Sequence, residues 1–456
     1  MSPCDPPGDR LVIDGTFASF DEALMTCGRG SASAEHPRLE PSALLAALRE
    51  AGTAHVYADT ADREELRAAI GTPAGGILAE VDGNTVNQPL VRHVLDRYLA
   101  GGRLAACARE LRGHRPELDG DALRPYLYTM VCGWIGSDVV SAFAAGRPWE
   151  VSLQLHMGAT SDPGLAKVLA RSLRRMVPSC FVKVPFRPQE PHALLVARDL
   201  EDEGIPVNFT STFSARQGVA AALLADVTRT NIFMGRLNQG LRAAVLGEHV
   251  VLETQRALRR LRRDAGVKTH LIVASMREWQ TFPRVAGSDV FTAPCSVLRD
   301  FLAQTEVPPA ALRSQLDTSY EEQLGIAAEA TQALGTERIA RLWRVEPEFV
   351  EFLRSYRATA EYRGLRDGER LWRRFEEAGY GDFFCAPDRA EWATLRTSKL
   401  PDLDSPLTAR LALDTHYSLL ADGDFVGHQD AIDGELGGQA GQPSAAEGDR
   451  SARRTA

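Results

Sequence analysis

From residue 151 to 302 the chain alternates between short apolar runs and longer stretches whose apolar positions recur every three or four residues. Runs rich in β-branched residues and bounded by Gly, Pro, Asn or Ser read as strands, and the three-to-four spacing reads as helix. This pattern predicts strands at 151–155, 181–184, 206–210, 230–234, 270–275 and 290–293. It predicts helices at 162–176, 191–203 and 215–225, along the Arg- and Leu-rich stretch up to 264, and at 277–285 and 296–302, with Ser161 or Asp162 capping the first. Upstream, 41–51 reads as a short helix with Leu44, Leu45 and Leu48 on one face, and 54–59 as a buried strand ending on Asp59. A second strand is predicted at 76–80 and helices at 90–112 and 121–145. Eight strands separated by helices have the rhythm of an α/β protein of the closed (β/α)8 TIM barrel type. A doubly wound open sheet competes, but it normally carries a glycine-rich first turn that is absent here.

The flanks differ from this core. Residues 1–40 are rich in Pro, Gly, Ser and charge and read as a loose arm, which leaves 41–305 for the barrel. Residues 306–426 are mostly helical in pattern and carry many aromatics, among them Trp343, Phe349, Tyr356, Phe375 and Phe384. These read as packing residues of a helical cap over the barrel or of a small appended domain. Residues 427–456 turn to Gly, Gln, Asp, Ser and Ala without periodicity and read as a disordered tail, including the glycine-rich 434–441.

Length and composition narrow the class. The 456 residues suffice for one large domain with appendages, and 44% hydrophobic with 25% charged residues is ordinary for a globular protein. A net charge of −9 argues against a nucleic-acid partner but says nothing against a small anion in a local basic pocket. No apolar run approaches the roughly 20 residues of a membrane span, and the N-terminus lacks the pattern of a signal peptide. Seven scattered cysteines without a Cys-x-x-Cys pair suit reduced thiols in a cytoplasm and offer no zinc site. No P-loop, His-Glu-x-x-His or Gly-x-Ser-x-Gly occurs.

The chemistry gathers around one lysine. The chain holds four lysines (Lys167, Lys183, Lys268 and Lys399) against forty-eight arginines, and Lys183 stands inside an apolar β-branched run. Burying an ammonium is costly, and the usual escape is a lowered pKa that leaves a neutral amine. Such an amine forms Schiff bases with carbonyls, which arginine cannot do. An ion pair or a snorkelling side chain is the competing reading for a lysine in such a place. In a barrel the active site lies at the C-terminal ends of the strands. Those ends carry Asp59, Gln154, Lys183, Asn208 with Thr210, Asn231 with Arg236, and Ser275 with Arg277.

Taken together, Ala58-Asp59-Thr60, Thr85-x-Asn87, Phe181-Val-Lys183, Val207-Asn208-Phe-Thr210, Phe213-Ser214-x-x-Gln217, Phe233-x-Gly235-Arg236 and Ala274-Ser275-Met-Arg277 resemble the transaldolases in order and spacing, over roughly 50–305. The resemblance implies a class I (β/α)8 enzyme that needs no metal or cofactor. Such an enzyme moves a dihydroxyacetone unit from a ketose phosphate to an aldose phosphate. It implies Lys183 as the Schiff-base lysine, Asp59 as the general acid/base and Thr210 as the residue that positions water. Asn208 and Asn87 would hold the hydroxyls of the dihydroxyacetone unit, and Arg236, Arg277 and Ser275 would clamp a phosphate. Phosphorylated sugars are the implied partners; a homo-oligomer is left open.

Two positions depart from the family pattern. Gln154 stands where the family usually has a glutamate that activates water; an amide can orient water but cannot exchange a proton. The related fructose-6-phosphate aldolases, which release free dihydroxyacetone, carry Gln there; they also carry Tyr at the place of Phe233, which looks like transaldolase. Asn231 replaces the usual serine, so contacts to the donor's upper hydroxyls are expected to differ. A transferase, a lyase and a non-catalytic sugar-phosphate-binding barrel are therefore the three readings, in that order.

Overall fold

The computed structural model describes residues 19–30 and 37–440. Eight parallel strands close into a barrel: β1 (His55–Asp59), β2 (Val81–Thr85), β3 (Glu150–Gln154), β4 (Cys180–Pro185), β5 (Val207–Thr210), β6 (Arg229–Phe233), β7 (His270–Ala274) and β8 (Val290–Pro294). The strands pair in chain order, and β8 closes on β1 with Val290 beside His55 and Pro294 beside Asp59. Buried Val, Ile and Leu side chains on the strands and on the surrounding helices form one continuous core. The barrel is thus a packed interior, with its strand ends free to carry chemistry. Among the described residues no helix is long and apolar enough to cross a membrane.

The second strand lies beyond the predicted 76–80. Ile77–Leu78 instead pairs with Leu39–Glu40 in a separate two-stranded ribbon, and the barrel strand is Val-Asp-Gly-Asn-Thr, 81–85. Asp, Gly and Asn are poor strand formers, so the segment lacks the local pattern of a strand. Each is held in place by its surroundings. The Asp82 carboxylate accepts from Val56 N and Arg49, and Asn84 donates to the Thr60 carbonyl and accepts from Trp149 Nε1. Gly83 is required: a Cβ there would lie 1.9 Å from the Glu150 carbonyl oxygen of β3.

The predicted loose arm is partly ordered. Helix α1 (Phe20–Gly28) is capped by Ser19, which accepts from Glu22 N, and buries Phe20, Ala23, Leu24, Met25 and Cys27. The predicted helix 90–112 is two, α2 (Gln88–Leu99) and α3 (Arg103–His114), broken at Gly101 and Gly102, whose φ of 82° and 74° no helix interior accepts. Helix α4 (Gly120–Phe143) follows, and α1 packs against both α3 and α4. Residues 1–18 and 31–36 of the arm and 441–456 of the tail lie outside the described residues.

The tail reading fails for 427–440. These residues complete a long helix, which after α5 (Ala215–Ala220) and α6 (Met234–Gly240) we label α7 (Leu413–Ala440). Its apolar periodicity is hidden because its buried positions include Asp414, His416, Asp422, Gln429 and Asp433, all partnered by the barrel and its neighbours. The remainder of the extension packs its aromatics together, with Phe375 5.1 Å from Phe383 and 5.0 Å from Phe384 between ring centres. Phe186, just beyond β4, joins that cluster at 5.2 Å from Phe383.

Two buried ion pairs seat α7. Asp414 takes two hydrogen bonds from Arg216 at 2.7 and 2.8 Å and one from Ser214 at 2.6 Å, and Asp422 accepts from Arg187 at 2.7 Å. Removing one member strands the other charge inside the protein, so Asp414→Ala is expected to cost about 3 kcal/mol in a denaturant melt. Burial pushes the Asp414 carboxyl up, but Arg216 and Ser214 outweigh it and hold the pKa below the usual carboxylate value. A depressed folded pKa gives stability that is full above the unfolded value of about 3.9 and is lost as pH falls through the folded one. The difference between wild type and Asp414→Ala is therefore expected to shrink on acidification below about pH 4.

Candidate active site

Lys183 lies in the middle of β4, 3% exposed, between Gln154 of β3 and Asn208 of β5 in the strand ladders. Its Nζ reaches the Val86 carbonyl at 3.5 Å, the outer limit of a hydrogen bond, which leaves the amine loosely held. Burial lowers its pKa, and the nearby Asp59 charge opposes the shift. Asp59, at the end of β1, shows the mirror image: burial raises its pKa while Lys183 and the Thr85 hydroxyl pull it down. Thr85 Oγ1 donates to Asp59 Oδ1 at 2.6 Å and lies 2.6 Å from Thr292 Oγ1. The acid is raised and the amine lowered by burial, each is opposed by the other's charge, and the two are thereby brought closer in proton affinity.

Polar groups surround this pair. Asn208 Nδ2 donates to Ser152 Oγ at 3.3 Å, and Asn231 Nδ2 donates to Thr210 Oγ1 at 2.9 Å. Gln154 Nε2 donates to the Met157 sulfur, a weak acceptor, at 3.4 Å. Asn87 is committed differently: its side chain caps α2 by accepting from Leu90 N at 3.2 Å. Gln154 Oε1, Asn231 Oδ1, Ser211 Oγ, Ser275 Oγ and Arg236 Nη1 are buried without a hydrogen-bond partner among the described residues. A buried polar atom without a protein partner can be satisfied by a bound molecule, and these five lie at or beside the strand ends that carry Lys183 and Arg236. Ser211 and Ser275, next to the ends of β5 and β7, both hold a strained φ of +64°.

Arg236 and Arg277 come together across the β6 and β7 ends. Gly235 makes this possible, since a Cβ there would lie 2.1 Å from the Ser275 carbonyl oxygen and 3.0 Å from the Arg277 side chain. Burial and the like charge of Arg236 lower the pKa of Arg277, while Asp59 raises it. Arg277 donates to the main-chain carbonyls of Ser275 and Met276, at 3.1 and 3.2 Å. Phe233, buried beside Arg236, packs edge-on against Phe213 at 5.5 Å.

Helix α7 covers this end of the barrel. Tyr417 stacks on Phe213 at 5.1 Å, Ser418 donates to the Ser211 carbonyl, and Phe425 packs edge-on against Phe233. Asp424 accepts from Arg236 at 2.7 Å and from Lys399 at 2.9 Å, and Asp433 meets His156 at 3.0 Å. Sequence reasoning missed Asp424, Ser152 and Thr292 as parts of the site. Asp424 had no local signal, because its partner lies 188 residues away.

A sequence model described as Transaldolase/Fructose-6-phosphate aldolase matches residues 56–341, more than half of the chain. The chain belongs to this family. Its curated relatives include a probable transaldolase of Hyphomonas neptunium, 28% identical over 171 residues that span 35% of this chain and 74% of that protein. One from Lactiplantibacillus plantarum is 30% identical over 164 residues, 33% of this chain and 70% of that protein. One from Rhodospirillum centenum is 31% identical over 170 residues, with coverages of 35% and 69%. Set on a transaldolase-family barrel, α7 adds a wall from a distant part of the same chain to the strand ends.

Proposed function

We propose that the protein is a Schiff-base transferase that moves a dihydroxyacetone unit from a ketose phosphate to an aldose or aldose phosphate, in a specialised sugar pathway. The observation that carries this reading is the loosely held, pKa-lowered Lys183 beside pKa-raised Asp59, ringed by unsatisfied buried polar atoms. In this reading the neutral Lys183 amine attacks the ketose carbonyl and water leaves, with Thr210 and Gln154 orienting that water. Asp59 then takes the proton from the hydroxyl whose carbon becomes the aldehyde, the adjacent C–C bond breaks, and the aldehyde leaves. The three-carbon unit stays on Lys183 until it adds to an acceptor. Asn208 and Asn231 hold sugar hydroxyls, Phe233 walls the site, and Asn87 is left to cap α2. Arg236 Nη1, Ser275 and Arg277 supply donors for a phosphate dianion, which guanidinium forks suit.

Reductive trapping tests this. Incubation with fructose 6-phosphate or sedoheptulose 7-phosphate followed by borohydride is expected to leave a dihydroxyacetone-sized increment on the peptide containing Lys183. No adduct with either sugar would defeat the reading and favour a barrel that binds without chemistry.

Gln154 favours a second reading, a lyase that releases free dihydroxyacetone. Product analysis without an acceptor separates the two: the transferase stalls as the adduct, whereas the lyase accumulates ketone. Gln154→Glu supplies a carboxylate at a weakly held position and is expected to raise turnover by up to roughly 10²-fold, the lower end of what a positioned general base contributes. An unchanged rate would mean that water activation does not limit turnover.

A further inference from the structure

Away from Lys183, where the extension meets the barrel, a cavity of about 220 Å³ is lined by Arg216, Arg338, Arg341, Arg410, Asp382 and Asp414, with leucines and an alanine. An adjoining hollow of about 280 Å³ shares Arg216, Arg341 and Asp382 with it. The charges do not balance. Arg216 takes both oxygens of Asp414 and the nearer oxygen of Asp382, at 3.0 Å. The other Asp382 oxygen reaches Arg341 only at 3.6 Å. Arg410 is held at 2.6 Å by Glu391, which is not part of the lining. Arg338 donates to the main-chain carbonyls of Thr408 and Leu411. In this lining Arg338 and Arg341 thus bring two positive charges to one wall, with Asp382, already shared with Arg216, as the carboxylate left to balance them.

The surroundings feel that excess. Burial, then the like charge of Arg341, lowers the pKa of Arg338. Burial and the Arg338 charge together hold the His416 imidazole neutral, with its pKa pushed down to about 4. The excess also runs against the chain's net charge of −9. Like charges gathered in a half-buried hollow are destabilising unless an anion sits between them, and guanidinium groups match a phosphate's oxygens in geometry and charge. We infer that this cavity is a second binding site, separate from the Lys183 centre, for a small phosphate-bearing anion. Its dimensions suit a small molecule and not a polymer. Asp414 belongs to its wall and to the first turn of α7, so an anion held there bears on the same helix that carries Asp424 to Arg236.

Calorimetric titration of the full chain with inorganic pyrophosphate tests the site. In Arg236→Gln/Arg277→Gln, which strips the guanidinium groups near Lys183, pyrophosphate is expected to bind still. Adding Arg341→Glu is expected to weaken that binding by about tenfold or more, as the loss of a charge-assisted contact does. Arg341 is 62% exposed and makes one long ion pair, so the replacement leaves the fold standing, which a thermal melt checks. If the Arg236→Gln/Arg277→Gln protein binds no pyrophosphate, or binds it equally well after Arg341→Glu, the second site does not exist.

Discussion

Lys183→Ala is expected to give no borohydride-stable adduct and to lose turnover on the order of 10⁵-fold or more, the scale seen when a covalent nucleophile is removed. Lys183→Met, which refills the volume, should behave the same way, showing that the amine and not the packing was lost. An adduct of normal amount in Lys183→Ala would move the chemistry to another residue. The wild-type pH profile should follow from the environment of the amine. Burial lowers the Lys183 pKa, so the neutral, nucleophilic form appears below the usual lysine value of about 10.4. Single-turnover adduct formation should therefore rise with pH, level off above the lowered pKa, and fall as acid protonates the amine.

Asp59→Asn carries the second large effect, and it splits the reaction. The amide keeps the shape but cannot exchange a proton, so the adduct should still form while steady-state turnover falls by roughly 10²- to 10⁴-fold. A second readout follows from the coupling of the two groups. The Asp59 charge opposes the lowering of the Lys183 pKa, so removing it should move the midpoint of adduct formation to lower pH. If Asp59→Asn lost turnover with no change in that midpoint, the two groups would not share a field. Equal losses of adduct and turnover would make Asp59 part of the carbonyl-attack step instead of the bond-breaking step.

Much of this arrangement was legible in the chain itself. Lys183 stood out because arginine carries nearly all of the positive charge elsewhere, and the strand ends of an alternating pattern collect in one place once the barrel closes. What could not be read depended on distant partners. Val81–Thr85 is a strand because Arg49, Thr60, Trp149 and the β3 backbone satisfy its Asp, Asn and Gly, none of which favours a strand locally. Residues 427–440 lacked a helical apolar stripe because their buried side chains include Gln429 and Asp433, matched to Gln88 and His156 across the barrel mouth. Local propensity sees only neighbours in sequence, so elements held by long-range polar pairing escape it.

The cover over Lys183 has a consequence for how the protein is made. Arg236 emerges from the ribosome 188 residues before Asp424, and domains fold from the N-terminal side during synthesis. Until α7 has been made, the strand ends around Lys183 lack Tyr417 and Phe425, and Arg236 lacks its carboxylate partner. The same holds for any product truncated before Leu413. On the proposed reaction, such a chain would leave an adduct on Lys183 open to stray protonation and hydrolysis. On that reading, the synthesis and docking of α7, and not the pairing of the strands alone, close the centre to water.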